Sequence, residues 1–234
     1  MQIINRIKLL LVNVKILGIL RLIMLFSVFE DNFCLSCSQA KKNIKYINEL
    51  NNEKIFNNDI VIGNRNAKVI IIEYFAPTCS HCSDYHSKIF PTLRNKYIDT
   101  NKIAYVMREC VTNKQDFDAS LLARCQNSTL SYLKLIHHIL STQDSWAYSK
   151  NYRTKLYKIA NKYGISDEQY NLCLNDDMKV KIILDYIKLI IPDTNFMGTP
   201  SFYINGELFQ GILDIEELSR IIDINLIKYN SSDK

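Results

Sequence analysis

Two cysteines separated by two residues, Cys79 and Cys82 in the run Ala-Pro-Thr-Cys-Ser-His-Cys, are the side chains best suited to do chemistry in this chain. The thiolate is the reactive form of cysteine, and disulfide exchange needs one thiolate that attacks and a second thiol that resolves. Cys79 is the expected nucleophile and Cys82, one helical turn on, the resolving thiol. His81 between them is expected to stabilise the Cys79 thiolate, either as a cation or as a hydrogen-bond donor. Glu73, six residues before Cys79, lies inside an apolar run, where a carboxylate is costly unless paired or protonated. That placement would bring it beneath the pair as a proton acceptor for a buried Cys82; the plainer reading is a solvent-facing strand charge. A zinc site from Cys79, Cys82 and His86 would need a fourth ligand, and no second Cys-x-x-Cys or His-x-x-x-His follows, so neither metal nor cofactor is expected. His137 and His138, in LSYLKLIHHIL, are explained by helical periodicity alone.

These residues need elements to hold them. Lys68 to Phe75, KVIIIEYF, is a β-branched and aromatic run between Asn66 and Pro77, as a buried strand requires. Tyr85, Ile89, Leu93 and Tyr97 then recur at helical spacing, so the cysteine pair sits at a strand-to-helix turn. A helix N-terminus offers unpaired N–H groups and a positive potential, both of which favour a thiolate at Cys79. Lys102 to Met107, KIAYVM, predicts a second strand, parallel to the first. Much later, Ser201 to Ile204 and Leu208 to Gln210 flank Asn205-Gly206, a strong hairpin signal, and Asp214 with Glu217 opens a helix. Residues 112 to 191 carry only helical patterns: Tyr152, Leu156, Ile159, Ala160 and Tyr163 form one face before Gly164, Ser166 and Gln169 form a cap, and an apolar run ends at Pro192. The order is βαβ, helical insert, ββα.

The chain has 234 residues, with 29 Lys and Arg against 24 Asp and Glu, a net +5 spread without a dense basic stripe. That is not the charge pattern of a nucleic-acid binder, and 47% hydrophobic residues with only 6 Gly and 4 Pro describe a globular protein. Residues 1–40 carry Arg6, Lys8, Lys15 and Arg21 ahead of and around the apolar run Leu22 to Phe29, which is too short to span a bilayer. They read as a signal peptide cleaved after Ala40, with lipid attachment at Cys37 and a retained membrane anchor as the alternatives. Residues 41–54 read as a polar linker.

The combination of Glu73, Cys79-Ser80-His81-Cys82, an all-helical insert and Gly198-Thr199-Pro200 before the hairpin resembles the DsbA-like thiol:disulfide oxidoreductases of the thioredoxin superfamily. The resemblance implies an α/β thioredoxin fold with an all-helical insertion between the βαβ and ββα halves. Its halves would be residues 55–111 and 193–228, and the insertion 112–192. It implies a cis Pro200 facing Cys79, with Thr199 presenting backbone groups to an extended substrate. It also implies a structural disulfide between Cys125 and Cys173; apart from the resemblance, these two could be separately buried thiols. Ser80 departs from the usual proline of the motif, and Cys110 is left without an evident partner. The implied function is the introduction of disulfides into thiol-bearing exported proteins in the periplasm, with a membrane redox partner and no nucleic acid. The rival readings are an isomerase or reductase of the same fold, a non-catalytic envelope binding protein, and a copper or zinc carrier.

Overall fold

The computed structural model describes residues 54–232, and the expected leader with most of the linker lies outside them. Five strands form one mixed sheet: β1 (Ile60–Gly63), β2 (Val69–Phe75), β3 (Ile103–Glu109), β4 (Ser201–Ile204) and β5 (Glu207–Gln210), in spatial order β1-β3-β2-β4-β5. Only β2 and β3 run parallel, with Glu73 opposite Met107; β1, β4 and β5 pair antiparallel to their neighbours. The parallel pair lies at the centre and is buried on both faces, which accounts for its continuous apolar sequence. The structure adds β1, which the sequence reading lacked, and carries β3 two residues beyond Met107 through Arg108 and Glu109.

Between β2 and β3 the chain forms α1 (Ser80–Lys88), a short α2 (Phe90–Leu93) and a π-helical turn (Arg94–Ile98). Periodicity alone suggested one continuous helix here. Pro91, with no N–H to give the preceding turn, sits at the start of α2 and accounts for the break at Ile89. The insertion is α3 (Lys114–Arg124), α4 (Thr129–Ser141), α5 (Gln143–Trp146), α6 (Tyr152–Asn161), α7 (Asp167–Leu174) and α8 (Asp177–Ile190). Ser166 and Gln169 make both bonds of a capping box on α7. Asn205 and Gly206 adopt the positive φ values of the hairpin turn, and the Asn205 carboxamide oxygen accepts from Ile70 N–H at 2.8 Å, fixing that turn to β2. Asp214 then caps α9 (Ile215–Ser232) by accepting from Glu217 N–H at 2.8 Å.

Alternation along the strands sorts the core into two layers. Val69, Ile71, Phe75, Tyr105, Met107 and Phe202 join a core shared with α1, α3 and α4. Arg108 and Tyr74 occupy the opposite face, where α8 packs on β3 and the Arg108 guanidinium lies 5.5 Å from the Tyr186 ring centroid. Both charges at the end of β3 are fully buried and fully paired. Arg108 donates to Asp59 at 2.9 and 3.1 Å, to Tyr74 and to Lys54 C=O. Glu109 accepts from Arg124 at 2.7 Å and from the Tyr132 hydroxyl at 2.8 Å. Cys125, at the C-cap of α3, and Cys173, on α7, are joined as a disulfide that closes a sequence separation of 48. By the chain-entropy estimate such a link stabilises by about 4 kcal/mol. Among the described residues no helix is long and apolar enough to cross a membrane.

Candidate active site

The strand-to-helix turn after β2 places Cys79 at the N-cap of α1, with its carbonyl accepting Ser83 N–H at 3.1 Å. The approach to it is held from the insertion. Asp116 accepts Thr78 N–H at 2.7 Å, Asn113 donates to the Thr78 hydroxyl at 3.0 Å, and Gln143 donates to Pro77 C=O at 2.7 Å. The hydroxyl of Tyr148 closes the set on Thr78 C=O at 3.1 Å. Cys79 is partly exposed and Cys82 is fully buried, the exposure that an attacking and a resolving thiol need.

Across from the turn, the Thr199-Pro200 peptide bond is cis, and the Cys79 Sγ donates to Thr199 C=O at 3.2 Å. Thr199, the residue before Pro200, therefore lies at the Cys79 sulfur. The two thiols are pushed apart in acidity. Cys79 is lowered to about 5, chiefly because the Cys82 thiol donates to it, with the Thr199 side chain and the backbone N–H groups of Cys82 and His81 adding to this against the opposing effect of burial. Cys82 is raised well above its ordinary value, first by burial and then by its bond to Cys79 and the negative charges of Cys79 and Glu73. His81 acts on Cys79 through its backbone N–H, and its ring lies on the exposed side of the turn.

Glu73 is fully buried in the middle of β2, on the face that carries Tyr105 and Phe202, and it is not a solvent-facing strand charge. His86 Nε2 lies 2.9 and 3.1 Å from its two oxygens, and Tyr105 donates to it at 2.8 Å while also bonding the Tyr85 hydroxyl at 3.1 Å. Burial, with the charge of Glu73, raises both phenols well above their ordinary value, so they remain donors. His86 thus turns to Glu73, away from the zinc geometry that its spacing from Cys82 had raised. Sequence reasoning missed His86, Tyr85 and Tyr105 as parts of this centre. The signal for His86 was present: it stands one helical turn past Cys82, on the buried face of α1.

Cys110 follows β3, is buried, and donates its N–H to Phe75 C=O at 2.7 Å. Burial, then the charges of Asp116 and Cys79, push its thiol up to about 11, so it rests as an unreactive neutral group.

Residues 56–224 match the family model described as Thioredoxin. A provisionally named protein-disulfide oxidoreductase of Rickettsia typhi is 48% identical over 170 residues, 73% of this chain and 63% of that protein. One from Rickettsia conorii is also 48% identical over 170 residues, again 73% of this chain and 61% of the relative. The chain thus spans less than two thirds of the length of these relatives. The crystal structure of Wolbachia pipientis alpha-DsbA1 superposes with a TM-score of 0.71 at 26% identity, covering 77% of this chain and 96% of that one.

Proposed function

The chain belongs to the thioredoxin family, and from the chemistry at Cys79 we propose that it is a DsbA-type protein thiol-disulfide oxidoreductase that introduces disulfides into exported proteins. The observation that carries this reading is the division of labour in the pair: a partly exposed Cys79 lowered to about 5 beside a buried, protonated Cys82. An easily formed Cys79 thiolate stabilises the reduced pair, and a stabilised dithiol makes its disulfide a stronger oxidant. In the forward reaction a substrate thiolate attacks Cys79 Sγ of the oxidised pair, the Cys79–Cys82 bond breaks, and Cys82 leaves and is protonated. A second substrate thiolate then attacks the substrate sulfur of the mixed disulfide and releases Cys79 as thiolate. Two electrons pass from the substrate dithiol to the enzyme. Thr199, whose C=O lies beside Cys79, is positioned to bond the main chain of an extended substrate next to Pro200, a mode that favours breadth over sequence specificity.

The site of action in this reading is the periplasm, reached through the leader at residues 1–40, and a membrane redox partner restores the Cys79–Cys82 disulfide. The test is trapping with oxidation of a reduced, unfolded protein. Cys79→Ala should abolish oxidation, and Cys82→Ala should accumulate mixed disulfides with many exported thiol proteins. Capture of a single partner by Cys82→Ala would favour a dedicated carrier and overturn the general oxidase reading.

A further inference from the structure

Burying the resolving thiol creates a transport problem for its proton. Cys82 is fully buried, so the proton that it takes up when the disulfide opens, and loses when the disulfide re-forms, has to cross protein. Glu73, whose carboxylate acts electrostatically on Cys82, is fully buried too, and its oxygens are engaged by His86 and Tyr105. His86 continues in the other direction. Its Nε2 is on Glu73, while its Nδ1 is buried with no partner, in a side chain only 2% exposed. The His137 ring, on α4, lies 5.1 Å away centroid to centroid, and its Nε2 is likewise buried without a partner. Buried ring nitrogens without partners are costly and uncommon, and two of them on rings in contact call for a reason. Both rings line a cavity of about 540 Å³ between α1 and α4 that also touches Ser83, Ser87 and Lys134. Ser87 and Lys134 are exposed, so water reaches the cavity, and it has room for several molecules at roughly 30 Å³ each.

We propose that His86 and His137 form a proton relay joining Glu73, beneath the redox pair, to the water of the α1–α4 cavity. The inference rests on the reading of Cys79 and Cys82 as an exchanging pair. When the Cys79–Cys82 bond breaks, the Cys82 thiolate takes its proton by way of Glu73 and His86, and His86 is recharged through His137, with a cavity water carrying the proton between the two rings, whose nitrogens do not bond each other directly. When a partner disulfide re-oxidises the pair, Cys82 gives up that proton along the same path outward, and the partner's two sulfurs receive the electrons. Neither histidine gains or loses a proton over the cycle. The groups facing the relay suit this role. Glu73 comes from β2 and Tyr105 from β3, Tyr85 stands on α1 itself, and Lys134 and His138 share the cavity from α4. Burial, followed by the charges of His86 and Arg94, lowers His137 to about 3, so it stays neutral between transfers, with one ring nitrogen to donate and the other to accept.

Rapid mixing of the oxidised protein with a small dithiol peptide, followed through the Cys82-dependent step, tests this. His137→Ala should slow that step about a hundredfold, the lower end of the range for general acid–base catalysis. Imidazole in the buffer should restore the rate, since the vacated ring adjoins the cavity. His137→Phe, which keeps the ring volume and the packing on Phe90, should be equally slow and unrescued. Thiolate titration of Cys79 should be unmoved in both. An unchanged rate in His137→Ala, or a full rate in His137→Phe, would overturn the relay and leave the rings as packing. If the wild-type chain does not oxidise the dithiol, the functional reading falls by itself. The relay is then read from the ring-nitrogen resonances of His86 and His137, which Glu73→Gln must shift together; independent behaviour of the two rings refutes it.

Discussion

The acidity of Cys79 sets how the reduction potential of the pair must change with pH. Cys79 is lowered from 9.0 to about 5, while Cys82 stays protonated throughout. A depressed value in the folded, reduced state means that the thiolate stabilises that state above about pH 5 and that the stabilisation is lost as pH falls through it. At pH 7 about two of the four units are in play, which at about 1.36 kcal/mol per unit is roughly 2.7 kcal/mol. Cys79 is partly exposed, and screening by solvent reduces this to about 1.4 kcal/mol, or some 30 mV for a two-electron couple. The slope is a sharper reading than the offset. With one proton taken up per two electrons, the potential should fall by about 30 mV per pH unit from pH 6 to 8, steepening to about 60 mV below pH 5, where both sulfurs are protonated. Equilibration with glutathione buffers, read by alkylation and mass, measures it. A slope near 60 mV per unit through neutrality would mean that Cys79 is a thiol there, and would refute the assignment of its acidity to this geometry.

Three further outcomes follow from the packing. Thr199→Val, which deletes a side-chain bond to Cys79, should raise the thiolate value measurably above about 5, whereas His81→Ala, which keeps the backbone N–H, should move it much less; thiolate absorbance against pH compares them. Replacing both Cys125 and Cys173 by Ala should lower stability by about 4 kcal/mol, which for a chain of this size is a melting shift of roughly 8–16 °C, and should leave exchange at Cys79 intact; calorimetry and a dithiol assay separate the two effects. Arg124→Met strands the buried Glu109 carboxylate and should cost about 3–5 kcal/mol in urea unfolding, more than either partner of the exposed Lys88–Asp84 pair.

What could be read from the chain alone follows from how much of each element is local. The strand at Lys68 to Phe75, the turn at Cys79, the Asn205-Gly206 hairpin and the caps at Ser166 and Asp214 are written in adjacent residues, and the structure has them in those places. β1 was invisible because four half-buried residues carry too little pattern to separate a strand from a loop. Arg108 and Glu109 looked like the end of a strand because their charges are neutralised by Asp59 and Arg124, which lie 49 and 15 residues away in sequence. Glu73 announced that it needed a partner, and no local rule could say that the partner was His86 on the facing helix. The ranking of influences on Cys79 was out of reach for the same reason. A helix N-terminus could be inferred from spacing, but the leading contribution of the Cys82 thiol and the reach of Thr199 across 120 positions need three dimensions.

The four bonds that hold Pro77 and Thr78 come from Asn113, Asp116, Gln143 and Tyr148, every one of them in the inserted segment. The helical insert is therefore not a decoration that could be trimmed to leave the cysteine turn in place. A shortened chain joining Val111 to Asp193 would keep the strands and the Cys79–Cys82 pair, yet leave the residues just ahead of Cys79 with exposed or orphaned amides and carbonyls. Its sulfur would sample many positions relative to Thr199 where the intact protein holds one. Inserts grafted from other members of the fold would have to reproduce those four side chains, and not merely the helices, to return the sulfur to its place.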